Sequence, residues 1–243
     1  MLVNRFDFRQ VDNGVIGVGH NLLQNSSFDA AESNIMLQVL SLLRQYRGDG
    51  VVMLDCGANI GAYTLSAARA MFGWGTVVAV EAQERLFYAL AGNIVLNNLS
   101  NARAIWSALS DKKGVLEIPE PDYYKPASYG SLELIQTADS EFIGQKLEKT
   151  QEVPAITIDS LKLDRLDYLK IDVEHMEEVV LAGAKKTIKA LKPVIQVEVL
   201  KSDREKIKEV IGKAGYTILD MNSGYDYLCV PNDDPLLNHL KSA

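Results

Sequence analysis

The chain has 243 residues, a formal net charge of −7, 47% hydrophobic and 23% charged residues. That supports one large α/β domain, or two small ones, with a core needing no disulfides, and the acidic balance argues against a broad nucleic-acid footprint. Cys56 and Cys229 stand in no metal-ligand spacing, the three histidines show no HxxxH pairing, and MLVNRFDFRQVD lacks a signal-peptide core. No apolar run reaches the ~18 residues of a membrane span, so a soluble cytoplasmic protein is expected, with neither nucleic acid nor membrane as partner.

Residues 1–30 read as an irregular segment with one short strand-like piece, punctuated by Gly14, Gly17 and Gly19. The main domain is expected over 31–243. Ile35, Met36, Val39, Leu40, Leu42 and Leu43 repeat with helical period, with Ser33 in the N-cap position. That helix either lids a site or completes the core. VVMLDCG (51–57) reads as a buried strand, 62–72 as a small-residue helix, and TVVAVEAQ (76–83) as a second strand. A helix through ERLFYALAGNIVLN and a third strand, ARAIWSALS (102–110), follow. LDYLKIDVE (166–174) and PVIQVEVL (193–200) read as the fourth and fifth strands, with one helix, MEEVVLAGAKKTIKAL, between them and another in SDREKIKEVIGKAG. YTILDMN and YDYLCVP read as a closing hairpin over 216–231, turning at Ser223-Gly224. Strands alternating with helices predict right-handed crossovers and a doubly wound, mostly parallel α/β sheet, here with a C-terminal antiparallel hairpin strand. Residues 111–153, rich in Pro, Tyr and Gly, break the rhythm and read as an insertion near the site rather than disorder.

In open α/β sheets, ligands sit at the carboxyl ends of the strands. Asp55, Gly57, Asn59 and Gly61 lie where the first strand hands over to its helix, and Glu81 ends the second strand. Glycines alone would serve any tight strand-to-helix turn. An acid ending each of two successive strands favours a nucleotide, because a carboxylate can accept hydrogen bonds from ribose hydroxyls. Gly57-Ala58-Asn59-Ile60-Gly61 lacks the dinucleotide G-x-G-x-x-G pattern, and Asp55 would repel a phosphate. S-adenosylmethionine, cationic at its amino group and sulfonium and free of phosphate, suits that acid better than NAD.

VVMLDCGANIGAYT, VVAVEAQ and YLKIDVEHMEEVVLAGA, in this order, resemble the FkbM-type S-adenosylmethionine-dependent methyltransferases over roughly residues 35–230. That family reads D-x-GANIG-x-x-(S/T), then a strand ending in Glu-Pro, then L-K-I-D-V-E-G-x-E-x-x-V-L-x-G-A. The resemblance implies a class I methyltransferase (Rossmann-like) sheet with a seventh, antiparallel strand, and methyl transfer, usually to a hydroxyl oxygen. It implies that Asp55, Gly57, Asn59 and Gly61 run along the methionine part of the cofactor. Glu81 would hold the ribose, with Ala82 and Gln83 beside the adenine and Ser107 and Ala108 bordering its ring. Asp172 would lie beside the sulfonium and the acceptor. Two positions depart from the pattern: Ala82 replaces the proline, and His175 replaces the glycine after D-V-E.

A hydroxyl acceptor must lose its proton as it attacks. Asp172, Glu174, His175 and Glu178 cluster after the fourth strand, and Glu198 ends the fifth. His175 is a candidate base, since its ordinary pKa lies near neutrality. Asp172 and Glu198 could instead hold a divalent cation, a reading not favoured for want of a third ligand. The plainest alternative is that Glu174, Glu177 and Glu178 charge a helix N-terminus and His175 is a surface residue. Lys170 could pair with one of these acids or cap the core. Tyr123, Tyr124, Tyr129 and Ser131 suit stacking on a saccharide or other polar acceptor, or plug the sheet end. The expectation is a methyltransferase acting on a hydroxyl of a small molecule or saccharide, with Asp172, His175 and Glu198 at the acceptor. A non-catalytic S-adenosylmethionine-binding protein on the same fold and, less well supported, an NAD-dependent oxidoreductase are the rivals. The sequence specifies neither the acceptor nor the oligomeric state.

Overall fold

A computed structural model of the chain describes residues 1–12, 14–221 and 224–242. The N-terminal segment forms a small hairpin, β1 (Arg9–Val11) and β2 (Gly14–Ile16), followed by helix α1 (Val18–Asn25). That helix goes beyond the irregular segment expected, because it is short and draws its order from tertiary contacts. Asp7 supplies them: its Oδ2 accepts from the Gly19 amide at 2.8 Å and its Oδ1 from the Tyr129 amide at 3.2 Å. Burial raises the Asp7 carboxyl to about 6, with those two amides opposing.

Helix α2 (Ala30–Arg47) begins three residues before Ser33, which therefore lies inside it, its hydroxyl on the Phe28 carbonyl at 3.5 Å. Asp29 takes the cap position in a left-handed conformation, φ 44°, without a side-chain cap bond. Met36, Val39, Leu40 and Leu43 are buried in the main core, so this helix completes the core.

The apolar runs become strands because both of their faces are covered. In chain order come β3 (Val51–Cys56), α3 (Ala62–Ala70), β4 (Gly75–Glu81), α4 (Glu84–Leu96) and β5 (Ala102–Trp106). After β6 (Ala108–Leu109), β7 (Gly114–Glu120) and β8 (Lys149–Ile156) come β9 (Tyr168–Ile171), α5 (Glu177–Ala182), α6 (Lys185–Leu191) and β10 (Val194–Glu198). The chain closes with α7 (Arg204–Lys213), β11 (Tyr216–Asp220), β12 (Asp226–Pro231) and α8 (Leu236–Ser242). The main sheet has seven strands in the order β11-β12-β10-β9-β3-β4-β5, parallel except for β12, which runs antiparallel to both neighbours. The closing hairpin is therefore present; Ser223 of its expected turn lies outside the described residues. One face buries Leu40, Met53, Leu65, Val77 and Leu90, the other Leu54, Val78, Ile171, Val180 and Ile207. Each such side chain stabilises the fold by ~1.5–3 kcal/mol. Strand order reverses between β3 and β9, which opens a crevice at their carboxyl ends.

Three further elements differ from the sequence reading. The third strand divides at Ser107, and β6 leaves the main sheet to join a second one of order β6-β8-β7. Strands β7 and β8 carry Pro119 and Pro154, residues that argue against a strand in sequence. Here Pro119 lies on an edge strand, and Pro154 precedes the part of β8 that pairs with β6. The long helix after β9 is two helices, broken where a Cβ on Gly183 would lie 2.1 Å from the Ser110 carbonyl oxygen. Among the described residues no helix is long and apolar enough to cross a membrane.

Candidate cofactor and acceptor site

The turn after β3 is built on left-handed backbone at Gly57 (φ 79°), Asn59 (φ 51°) and Gly61 (φ 95°). A Cβ on Gly57 would stand 1.8 Å from the Asp172 carbonyl oxygen, so only glycine lets this turn lie directly on the end of β9. The Gly57 and Ala58 amides both donate to the Val80 carbonyl, at 3.0 Å each, which ties the turn to β4. Asp55 is 1% exposed. Its Oδ2 accepts from the Thr64 hydroxyl at 2.6 Å, while Oδ1 is buried without a partner among the described residues. Burial raises the Asp55 carboxyl above its ordinary range, and the Lys170 ammonium opposes the rise. Glu81 is also buried; Oε2 accepts from the Asn59 amide and Oε1 from the Gln83 amide, both at 2.8 Å. Burial pushes its carboxyl up to about 7 against the pull of those amides.

One cavity at the carboxyl end of the sheet gathers most of the residues singled out from sequence: Asp55, Gly57, Asn59, Glu81, Ala82, Ser107, Asp172 and Glu198 line it. Gly61, Ala108 and His175 do not. Gly61 faces the core, where a Cβ would meet Leu65 and Leu90 side chains at 2.7 and 2.8 Å. Ala108 is fully buried in a cluster with Ala82, Leu134 and Met176. His175, its side chain 55% exposed, points its Nδ1 towards Glu133 at 3.7 Å. Glu174 and His175 both have positive φ, 49° and 74°, and that reversal carries the imidazole away from the cavity. The family's glycine at this position fits such backbone.

The sequence reading did not foresee the wall contributed by Ile16, Val18 and Phe28, or the floor contributed by Tyr63 and Lys170. Lys170 alone carried a signal, a charge inside an otherwise apolar strand. Tyr123 and Tyr129 are structural: their rings lie 4.8 Å apart, Tyr123 donates to the Gln83 side chain at 3.0 Å and Tyr129 to the Lys125 carbonyl at 2.8 Å. Tyr124 is 86% exposed, whereas Ser131 does line the cavity.

Acids crowd the end of β9 and β10. Lys170 Nζ lies 2.8 Å from Asp172 Oδ2 and 4.4 Å from the centre of the Tyr63 ring, so the pairing with an acid is present. Burial works against its charge, but Asp172 and Asp55 together hold the ammonium well above its usual range. Glu174 pairs with Lys201 at 2.6 Å, yet burial and the Asp172 carboxylate raise it to about 8. Glu198 is pushed up to about 9 by burial, then by Asp172, Glu174 and Glu177. No hydrogen bond or ion pair reaches the Glu198 carboxyl from the described residues. Glu177 is buried and accepts from the Val173 amide at 3.0 Å, while Glu178 meets Lys206 at 3.7 Å on the surface. Among the described residues no group of three His, Cys, Asp or Glu side chains is arranged to hold a metal ion.

Residues 55–226 match the methyltransferase FkbM domain. The chain belongs to the FkbM methyltransferase family. This FkbM-family chain is similar in structure to an FkbM methyltransferase from Methylobacillus flagellatus KT, with a TM-score of 0.51 and 16% identity over 74% of this chain and 43% of that one. It is also similar to monomeric WbdD, with a TM-score of 0.53 and 13% identity over 89% of this chain and 45% of that one. Identities this low show a shared fold, and the chain spans less than half the length of either protein. No curated protein sequence matches it. Family membership makes S-adenosylmethionine the expected cofactor. The residues present fit it, because Asp55 Oδ1 is a buried acceptor with no donor of its own. The Gly57 turn leaves backbone rather than side chain at the cavity floor.

Proposed function

We propose that the protein is an S-adenosylmethionine-dependent methyltransferase that methylates a hydroxyl oxygen of a small molecule or saccharide. One observation supports this most: the donorless Asp55 oxygen and Glu81 share a cavity with Asp172 and Glu198. In this reading Asp55 accepts from the cofactor's amino group, and Glu81 offers the lone pairs its two amides leave free to the ribose. Ala82, Leu109, Leu134 and Met176 form an apolar slot for the base. The Ser107 hydroxyl, already donated to the Pro154 carbonyl at 2.7 Å, serves as wall. When bound, the cofactor supplies an activated methyl group.

The chain's remaining tasks are alignment and one proton. Asp172, oriented by Lys170, is our candidate acceptor of the hydroxyl proton. Glu198 keeps its own proton at neutral pH and can donate a hydrogen bond to a second oxygen of the acceptor. His175, outside the cavity, takes no part. The acid-rich lining suits a neutral or cationic small acceptor over the phosphates of a nucleic acid.

Calorimetry tests the cofactor: S-adenosylmethionine should bind at micromolar strength, ~−8 kcal/mol, and NAD should give no heat. Glu81→Ala should weaken binding by ~1–3 kcal/mol. NAD binding without S-adenosylmethionine binding would end this reading. Release of S-adenosylhomocysteine across a panel of hydroxylated acceptors tests turnover, and its absence from every one would leave a binding protein.

A further inference from the structure

We propose that Lys170 is a positioning residue: its buried ammonium, paired with the acceptor-side carboxylate Asp172 and standing across the strand from the cofactor-side carboxylate Asp55, supplies the positive charge that keeps Asp55 ready for a cationic cofactor. The inference rests on the cofactor reading above and assigns a role to a residue that reading does not require.

The register of the sheet carries the argument. Met53, Tyr168 and Val194 stand side by side on β3, β9 and β10, all of them fully buried. Two residues further along the same face the row becomes Asp55, Lys170 and Gln196. The sheet thus changes from apolar to polar and charged at the level where the cavity begins. Lys170 is 3% exposed, and a lysine there is costly unless its charge is matched. Asp172 matches it at 2.8 Å, and the Tyr63 ring covers it from α3. Asp29 just before α2, Glu198 on β10 and Asp226 on β12 also face this group. The other nearby ammonium, Lys201, is held by Glu141 at 2.8 Å and Glu174 at 2.6 Å. Lys170 is therefore the cation available to both Asp55 and Asp172.

Without that ammonium, the buried Asp55 carboxylate would lose the charge that opposes its burial, and it would take up a proton. A cationic cofactor binds the deprotonated Asp55, so binding would then expel that proton. A lysine that merely filled space would leave no such trace.

The test is calorimetry of S-adenosylmethionine binding in buffers of different ionisation enthalpy, which counts protons released per cofactor bound. Wild type and Lys170→Arg should release equal numbers, and Lys170→Met up to one more. Below neutral pH the Lys170→Met affinity should fall up to tenfold more per pH unit than that of wild type. Glu81, titrating near 7, contributes alike to all three proteins. Lys170→Gln, which can still hydrogen-bond Asp172, carries the same expectation if Lys170→Met does not fold. An unchanged proton count in the uncharged variants, whatever their melting temperatures, overturns the role of Lys170 and leaves the cofactor reading standing. Absence of binding to wild type overturns both.

Discussion

The two ends of the seven-stranded sheet both carry clusters of charge, and they follow opposite rules. At the amino end, Asp167 accepts from Arg47 at 3.2 Å, Arg165 at 2.7 Å and the Val52 amide at 2.9 Å. Arg47 also binds Asp234, and Lys192 binds Asp233. At the carboxyl end, the Lys170 ammonium pairs with Asp172 and faces Asp55, Glu81 relies on amides, and Glu198 has no partner among the described residues. Charges matched within the chain join segments distant in sequence. Charges left unmatched raise carboxyl pKa values and await a ligand. The contrast separates acids that hold the fold from acids that read a substrate.

The largest effect should come from the matched end. Asp167→Ala takes a carboxylate from Arg47 and Arg165 and the acceptor from the Val52 amide, and should cost ~3 kcal/mol in urea unfolding with cofactor affinity unchanged. A loss below ~1 kcal/mol, the range of an exposed ion pair, would dissolve the contrast. The unmatched end should show itself in pH dependence. The Glu198 carboxyl titrates near 4.5 when unfolded and near 9 in the fold, so its contribution is complete below about 4.5 and is lost as pH rises to about 9. Thermal unfolding across that window should show Glu198→Gln gaining on wild type as pH rises; parallel curves would remove Glu198 from the strained set. The smallest effect is at His175, whose left-handed backbone a glycine would relax. His175→Gly should stabilise by up to ~1 kcal/mol, less than the full left-handed strain because glycine also loosens the unfolded chain. Cofactor affinity should stay the same, and a weakened cofactor would bring His175 back into the site.

The main sheet was legible because buried parallel strands are written as short, continuous apolar runs, as in VVMLDC and TVVAVE. Asp55 and Glu81 were legible because strand ends are where such sheets bind ligands, and the structure brings both to one cavity. What stayed hidden depends on contacts between distant segments. Pro119 and Pro154 disguised β7 and β8, whose pairing alone makes prolines acceptable there. The break at Gly183 answers to the Ser110 carbonyl, far away in sequence. His175 stands beside the D-V-E acids in sequence, and two backbone angles send it elsewhere.

Asp7 also sets an order of events. It meets Tyr129 across 122 positions of the chain, whereas Glu81 meets Asn59 across 22. Closing the longer loop costs ~1.5 kcal/mol more chain entropy on logarithmic scaling. The wall around α1 therefore costs more chain entropy to form than the turn it covers, and it draws on the buried cluster of Val18, Ile60, Leu86 and Tyr129 to offset that cost.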